Sequence, residues 1–398
     1  MKERSKLAGG PPQTQFSGSN AEFLRSLPVF AGVVVSVISL LVLVLLVFIL
    51  SDTPGRTLYF FFLGPFRNIF SFGNMLNAAI PLIIGALGVT VAMKAGNLNL
   101  GGEGQIYFGA FCTIAASLFL SKYGIGQFGV IAGVLAVTFG FLCSGLLAAF
   151  SGFCKAMWNT SELITSFLLS CAVIPVVNYL VCGPFLDPQT SLQSTRKIAE
   201  NLRLPLVLKP SGLSAGIFIA AAAVIAVQFF LSRTKPGYEI RMTGSNELFA
   251  RYGGINTKLT TVISMAISGS FYGLAGSMAV MGTYHAVIKE FSAGLGWNGL
   301  AVALISGFYP AAVIPAALFF AWIGAGARIA MQNTGLTFEV ASIVQAVIFF
   351  ISTSVVIRKW FNTPGIKPHT IHTLQNNIPR PFRAGLLIRN IFSQRRKN

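Results

Sequence analysis

Long apolar stretches separated by short polar ones run along most of this chain. A helix that crosses a bilayer needs about 20 mostly apolar residues. The pattern therefore predicts an all-α, polytopic membrane protein with about ten transmembrane helices. The run 296–308 is short and 309–330 follows it directly, so this pair is either two crossings or a re-entrant segment plus one. The ten runs lie at 29–50, 75–94, 103–121, 126–152, 162–183, 212–232, 257–282, 296–308, 309–330 and 338–357.

Basic residues mark the expected boundaries of the membrane domain. Residues 1–28 hold four lysines and arginines, 233–258 hold five, and the residues after 357 hold nine. Because basic loops stay in the cytoplasm, all three regions are expected there, which requires an even number of crossings. We predict a cytosolic N-terminal tail at 1–28, a transmembrane domain at 29–357 and a basic cytosolic C-terminal tail at 358–398. The first apolar run is expected to be a retained span.

Composition and charge argue against several classes of protein. The chain has 398 residues, 54% of them hydrophobic, and a formal net charge of +18. The basic residues lie at the ends and between apolar runs, as in membrane proteins, so no nucleic-acid partner is expected. The G-x-S-x-G match at Ser214 follows a Lys-Pro loop and precedes a span, so we expect no catalytic serine. The five cysteines and three histidines have no metal-site spacing, and no metal is expected.

A charged island interrupts the apolar pattern at 236–256, PGYEIRMTGSNELFARYGGIN. Such a stretch cannot lie in hydrocarbon and must face water. Ser245 or Asn246 can cap a short helix that Gly253 and Gly254 end. The island is either a dock for a soluble partner or an ordinary solvated loop. The loop 184–211 on the opposite side leaves the same two readings, an extracytoplasmic contact or a plain surface loop.

The second polar stretch is AGNLNLGGEGQIYFGAF, at 95–111. Its amides, its single acid and its glycines at a helix break suit the lining of a polar solute path. A short cytosolic turn, with Glu103 favouring a helix N-terminus, explains them as well. The glycine spacing at 101–105 has a weak echo at 296–300, and internal repeats are common in transporters. We therefore expect two pseudo-symmetric halves.

Three stretches in order carry a family resemblance. They are AGNLNLGGEGQIYFGAF, GYEIRMTGSNELFARYGGIN and GLGWNGLAVALISGFYPAAVIPAALFFA. Together they resemble the permease subunits of bacterial ABC importers for simple sugars and nucleosides, the ribose-type, basic-membrane-protein-linked branch. The likeness covers roughly residues 75–357. One departure is the glycine pair 101–102, where larger residues are common in that family.

The resemblance implies a transport subunit of the bacterial cytoplasmic (inner) membrane and not an enzyme. Its partners would be an ATP-binding cassette protein, a second permease subunit and an extracytoplasmic solute-binding (lipo)protein. ATP would be used by the partner, and this chain would hold no cofactor. The absence of a Gly-x-x-x-x-Gly-Lys-Ser/Thr loop agrees with that division of labour.

The resemblance also assigns residues. The coupling helix would span 245–252 and transmit motion of the motor to the spans. Its contacts with the ATPase would be Tyr238, Arg241, Glu247, Leu248, Phe249 and Arg251. Polar groups near the helix breaks, with one aromatic face, would line the substrate pathway, namely Asn97, Asn99, Glu103, Gln105, Trp297 and Asn298.

An aromatic face suits a sugar ring or a base, and the first choice of solute is a nucleoside. A simple sugar such as ribose, or riboflavin, is the alternative within the same importer class. An ion-coupled secondary transporter is the other class. It would usually carry an ionisable residue deep in a span, and Arg328 and Glu339 lie near span ends.

Overall fold

The computed structural model describes residue 51, residues 53–334, and scattered positions at 37–49, 343 and 346. The two predicted tails and most of the first and last predicted spans lie outside the described residues. The described part is mostly helical. Its helices are α1 (Pro54–Leu63), α2 (Ile69–Lys94), α3 (Gly102–Lys122), α4 (Val130–Trp158), α5 (Glu162–Cys182), α6 (Gly216–Arg233), α7 (Lys235–Ser245), α8 (Glu247–Tyr252), α9 (Thr257–Ala279), α10 (Leu295–Ile305) and α11 (Pro310–Thr334).

Within the described residues, seven helices are long and apolar enough to cross a membrane. They are α2, α3, α4, α5, α6, α11, and α9 extended by the π-helical turn Val280–Tyr284. This agrees with a polytopic membrane protein. The total of ten crossings and the two pseudo-symmetric halves remain predictions.

Helix α2 passes through the middle of the bundle. The Asn68 side chain caps its start by accepting a hydrogen bond from the Ser71 N–H. Most of its residues are buried, because other helices pack around it on several sides. With 26 residues it is about 39 Å long at 1.5 Å per residue. Its two ends therefore identify the two ends of the bundle.

Small residues let the central helices approach closely. A Cβ added at Gly269 of α9 would lie 2.3 Å from the Cβ of Ala148 on α4, and one at Gly273 would lie 2.5 Å from that of Ser144. Glycine, alanine and serine at such positions are typical of helix packing in membranes. Large apolar side chains of α4 and α5 point outward instead, as they would toward lipid.

One end of the bundle, which we call the ribbon end, carries a small folded loop. It contains the 3₁₀ turn Glu200–Leu202 and two short antiparallel strands, β1 (Leu206–Leu208) and β2 (Leu213–Ser214). Asn74, near the start of α2, accepts a hydrogen bond from the Gly212 N–H. The sequence predicts a loop at 184–211 and a span from 212, but the span's helix begins at Gly216, and the two strands are a small departure from an all-α fold. The Lys-Pro loop expected before Ser214 is in fact the connection between the two strands.

The opposite end, which we call the α8 end, carries α7 and α8. It lies at the far end of α2, where a Cβ on Gly244 of α7 would fall 2.2 Å from the Lys94 carbonyl oxygen. The charged island and the 184–214 loop are thus on opposite ends of the bundle, as the positive-inside pattern predicts.

The short helix α10 has only 11 residues, about 16 Å, which is too short to span a bilayer alone. Residues 285–294 precede it and contain four positive-φ positions, His285, Glu290, Ala293 and Gly294. This segment leaves the ribbon end, where the Ile198 N–H donates to the His285 carbonyl oxygen. Residues 285–305 therefore run from the ribbon end toward the α8 end, first irregular and then helical.

Candidate functional site

The break between α2 and α3 is held by a buried amide cluster. Asn99 Nδ2 donates to Gln105 Oε1 at 2.7 Å and to Ser268 Oγ of α9 at 3.1 Å. Asn97 Nδ2 donates to Ser264 Oγ of α9 at 2.9 Å. These three amide side chains are essentially inaccessible. Their polar atoms form hydrogen bonds within the chain. Their side chains therefore present no exposed surface to a solute in this conformation.

A partly buried ion pair extends this cluster toward the α8 end. Lys155 Nζ, in the last turn of α4, lies 2.9 Å from Glu162 Oε1 and donates to Asn97 Oδ1 at 2.8 Å. The pair joins the α4–α5 turn to the helix break. The sequence did not indicate that Lys155 contacts the helix break, because Asn97 and Lys155 are 58 positions apart.

Glu103 joins two helix N-termini. It lies in the first turn of α3, and its two carboxylate oxygens accept hydrogen bonds from the backbone N–H groups of Gly294 and Gly296, each at 2.9 Å. A Cβ on Gly296 would lie 2.4 Å from the Glu103 nitrogen, so the backbones touch. A carboxylate placed here offsets the positive ends of both helix dipoles.

The two echoing glycine stretches of the sequence therefore meet in space. The start of α3 and the start of α10 pack against each other through Gly102 and Gly296. Glu103 lies at the N-terminus of α3, as one of the two sequence interpretations has it, and its carboxylate also accepts hydrogen bonds from the start of α10.

Trp297, in the first turn of α10, is the one exposed residue of the six predicted to line the pathway. The Trp297 residue is 39% exposed, and its ring lies 6.3 Å from that of Phe167 on α5, between centroids. Asn298 is half-buried. An exposed aromatic pair beside an amide can stack and orient a ring-bearing solute.

A polar trio nearer the ribbon end continues the same α5–α10 seam. Tyr107 Oη of α3 donates to Asn178 Oδ1 of α5 at 2.7 Å, and Asn178 Nδ2 donates to Glu290 Oε1 at 3.1 Å. Glu290 is exposed. The sequence reading missed Asn178 and Glu290. The available signal was a lone amide inside an otherwise apolar run.

We call this accessible line, made of Phe167, Asn178, Glu290, Trp297 and Asn298, the seam surface. Phe167 and Asn178 are eleven positions apart, about three turns, so they lie on one face of α5. The seam surface offers aromatic, amide and carboxylate groups. Among the described residues named in it there is no cation.

The short helix of the charged island is present as α8. Asn246 caps it, accepting a hydrogen bond from the Phe249 N–H at 3.0 Å, and Gly253 ends it. Ala250 is the buried residue of this helix. The predicted range 245–252 thus matches the helix and its cap to within one residue.

All six residues predicted to contact an ATPase are exposed. Leu248 is 66% exposed, Phe249 62% and Tyr252 92%. Three large apolar or aromatic side chains therefore point to solvent from one six-residue helix within the charged island. We call the three exposed side chains Leu248, Phe249 and Tyr252 the α8 surface. The sequence reading placed Tyr252 in the helix but not among the contacts, because the face it occupies depends on tertiary packing.

The charged residues of α8 pair with each other. Arg251 Nη2 lies 3.3 Å from Glu247 Oε1, and both side chains are more than half exposed. An exposed i, i+4 pair of this kind adds about 0.3–0.5 kcal/mol at most. Both groups therefore remain available to a partner at little cost.

The α8 surface is connected to α10 through Lys94. Gly244 of α7 packs on the Lys94 and Ala95 backbone. The Lys94 ammonium lies over the ring of Tyr309, 4.6 Å from its centroid. Tyr309 follows the end of α10, so the helix that carries Trp297 starts beside Glu103 and ends near Lys94, on which α7 packs.

Ser214 is not arranged as a nucleophile. It is buried in β2, and its hydroxyl donates to Asn77 Oδ1 at 3.2 Å. Within the described residues no group of three or more His, Cys, Asp or Glu residues is placed to hold a metal ion.

Comparison with known proteins supports the resemblance to importer permeases that the three sequence stretches carry. Residues 71–353 match the family model described as the permease component of the branched-chain amino acid transport system. The chain is 34% identical over 305 residues to the probable riboflavin import permease protein of Treponema pallidum, covering 76% of this chain and 79% of that protein.

Two further relatives carry nucleoside names. The guanosine ABC transporter permease protein of Bacillus subtilis is 30% identical, covering 74% of this chain and 84% of that protein. The nucleoside ABC transporter permease protein of Lactococcus lactis is 30% identical, covering 74% and 82%. No solved structure matches the chain. The chain therefore belongs to this family of ABC transporter permeases, as the three sequence stretches predict.

Proposed function

We propose that this chain forms the membrane path of an ABC importer that carries a nucleoside or a related ring-bearing solute. The observation that carries the proposal is the α8 surface in a member of a permease family. A capped helix that exposes Leu248, Phe249 and Tyr252 to water has the form of a segment that seats in a groove on another protein.

The partner on the α8 surface is an ATP-binding cassette subunit, which supplies the hydrolysis that this chain does not perform. Tyr238 and Arg241 on α7 widen the contact beside α8. Movement of the motor would pass from α8 through α7 to the spans, because Gly237 and Gly244 of α7 pack tightly on the backbones of α6 and of the end of α2. Alternating access then follows from rigid-body motion of the helices.

The solute contacts the seam surface. Trp297 and Phe167 offer ring faces for stacking, and Glu290 and Asn178 offer acceptors and donors for the edge of a ring. Asn97, Asn99, Gln105 and Glu103 belong to the pathway as its supports, since their polar atoms hold the helix break and the start of α10.

The chain crosses the cytoplasmic membrane of a bacterium ten times with both termini in the cytosol. Seven crossings are the long described helices. The eighth is 285–305, an irregular half followed by the half-length helix α10. The runs 29–50 and 338–357 complete the count, which keeps the α8 end cytosolic and the ribbon end outside. A second permease subunit faces the seam surface, and a solute-binding (lipo)protein docks at the ribbon end.

Riboflavin is the second candidate solute, because a probable riboflavin import permease is among the relatives and a flavin also presents a flat ring. The test is uptake of labelled nucleoside, riboflavin and ribose by cells with and without the gene. Loss of nucleoside uptake alone supports the first choice. Loss of riboflavin or ribose uptake alone corrects the solute and keeps the class. Uptake that persists without a partner ATPase would point to an ion-coupled carrier and overturn the proposal.

A further inference from the structure

A groove opens on the bundle, and none of the residues that line it belongs to the seam surface or the α8 surface. Its volume is about 940 Å³, and it lies between the last part of α3, the first half of α4 and the residues that follow α5. Ala116 and Phe119 of α3, Leu135 and Phe139 of α4, and Phe185 form its walls. The floor and walls are thus almost wholly apolar.

Two cations stand at one end of this groove. Lys122, in the last turn of α3, and Arg196, in the folded loop of the ribbon end, both line it. Neither forms an ion pair with any carboxylate of the residues that the structure describes. The groove therefore has an apolar body and a positively charged end.

The position of the cations relative to a membrane is set by the helices. Lys122 ends a candidate span. The turn just beyond it joins the ribbon-end loop, where Asn201 Nδ2 donates to the Gly126 carbonyl oxygen at 2.6 Å. The apolar wall at Ala116 lies six residues earlier in α3, about 9 Å deeper along the helix axis. The exposed Tyr123 stands beside Lys122, as aromatic residues do at a membrane–water interface.

We propose that this groove binds one anionic phospholipid of the leaflet at the ribbon end. An acyl chain lies along Ala116, Leu135 and Phe139, and the phosphate sits between Lys122 and Arg196. The occupant must match both parts of the site. A soluble anion would not use the apolar walls, and in a zwitterionic lipid the headgroup's own cation would offset the phosphate charge that Lys122 and Arg196 meet. Basic residues that meet anionic headgroups each contribute to such binding.

The test is a lipid titration of the purified full-length transporter followed by native mass spectrometry. The probes are a phosphatidylglycerol and a phosphatidylcholine with identical acyl chains. The unmodified protein is expected to bind the first about 10- to 30-fold more tightly, as two headgroup cations predict. The double variant Lys122→Gln with Arg196→Gln should bind the two lipids equally.

Matched controls separate this site from general surface charge and from misfolding. Lys209→Gln with Lys289→Gln removes two exposed cations of the same end that do not line the groove, and the lipid preference should remain. Ala116→Phe fills the apolar part and should weaken both lipids while the preference persists. Equal binding of the two lipids by the unmodified protein overturns the proposal.

A further result would also overturn the proposal, by identifying a protein occupant instead. Cysteine placed at Leu135 or Phe139 should be reached by a lipid-borne thiol reagent in the assembled transporter. Cross-linking of those cysteines to a second permease subunit, with no lipid adduct, would show that the groove is a subunit contact.

Discussion

The α8 surface and the centre of the bundle differ in how they use their side chains. On α8, in water, the large apolar side chains Leu248, Phe249 and Tyr252 point outward. At the helix break, inside the bundle, Asn97 and Asn99 point inward and bond to their own chain. Water alone would favour buried apolar groups and exposed polar groups, and both regions show the reverse. The difference suggests that the two regions have different roles. The exposed apolar groups need a partner, whereas the buried polar groups already have one.

The largest effect is expected from a charge on the α8 surface. Leu248→Asp should abolish uptake, because an acid cannot enter an apolar groove on a partner without losing its hydration. Insertion and yield should be unchanged, since the side chain touches solvent. Labelled-solute uptake and membrane abundance are the measurements.

Leu206→Asp is the matched control for that substitution. Leu206 is a leucine of the ribbon end with 46% exposure, and it lies outside the α8 surface. Because the solute-binding protein is proposed to dock at the ribbon end, the two variants are compared by recovery of the ATP-binding cassette subunit with the purified chain. Equal loss of that subunit from both variants would show that an exposed acid is harmful anywhere, and the docking role would be lost.

Removal of the Glu103 carboxylate should be the next largest effect. Glu103→Ala leaves the N–H groups of Gly294 and Gly296 without their acceptor, which should cost about 2–4 kcal/mol of stability. Glu103→Gln keeps one acceptor oxygen, so its stability should lie between that of the unmodified protein and that of Glu103→Ala. The thermal unfolding midpoint of the detergent-solubilised protein measures this. Identical midpoints for all three proteins would mean that the meeting of α3 and α10 does not depend on this carboxylate.

Trp297→Ala sharpens the assignment of the seam surface. Loss of a stacking face should raise the KM for uptake about tenfold while the maximal rate stays within a factor of two. Trp158→Ala, at the end of α4, is the control, since Trp158 is also exposed but lies outside the seam surface. A fall in maximal rate with an unchanged KM would indicate a role in motion and not in solute contact.

The smallest effect concerns the link between the two regions. The cation–π contact of Lys94 with Tyr309 contributes about 0.5–1 kcal/mol when partly exposed. A double-mutant cycle of Lys94→Gln and Tyr309→Leu should therefore show that uptake falls only a few-fold in each single variant, with no further loss in the double variant. Purely additive losses would mean that the contact does not join α7 to α10.

The α8 region could be predicted closely because its signals are local. The Asn246 cap, the glycines at 253–254 and the polar composition lie within about ten residues of one another. The same holds for the start of α10, predicted at 296 and found at Leu295. The apolar runs likewise match the described long helices, although α2 begins several residues earlier than its run.

The centre could not be predicted in the same way because its partners are distant in sequence. Asn97 bonds to Ser264, 167 positions away, and Glu103 bonds to Gly294, 191 positions away. Without those contacts the polar stretch suits a solute path as well as an internal cluster. Asn178 and Glu290 were missed for the same reason, since only the fold brings them together.

The central claim is that a motor acts on this chain through α8. The direct test is co-purification of the ATP-binding cassette subunit with the full-length chain, compared among the unmodified protein, Leu248→Asp with Phe249→Asp, and the Leu206→Asp control. The account predicts that the motor is recovered with the unmodified protein and the control, and is lost from the double variant. Full recovery of the motor with the double variant would contradict it.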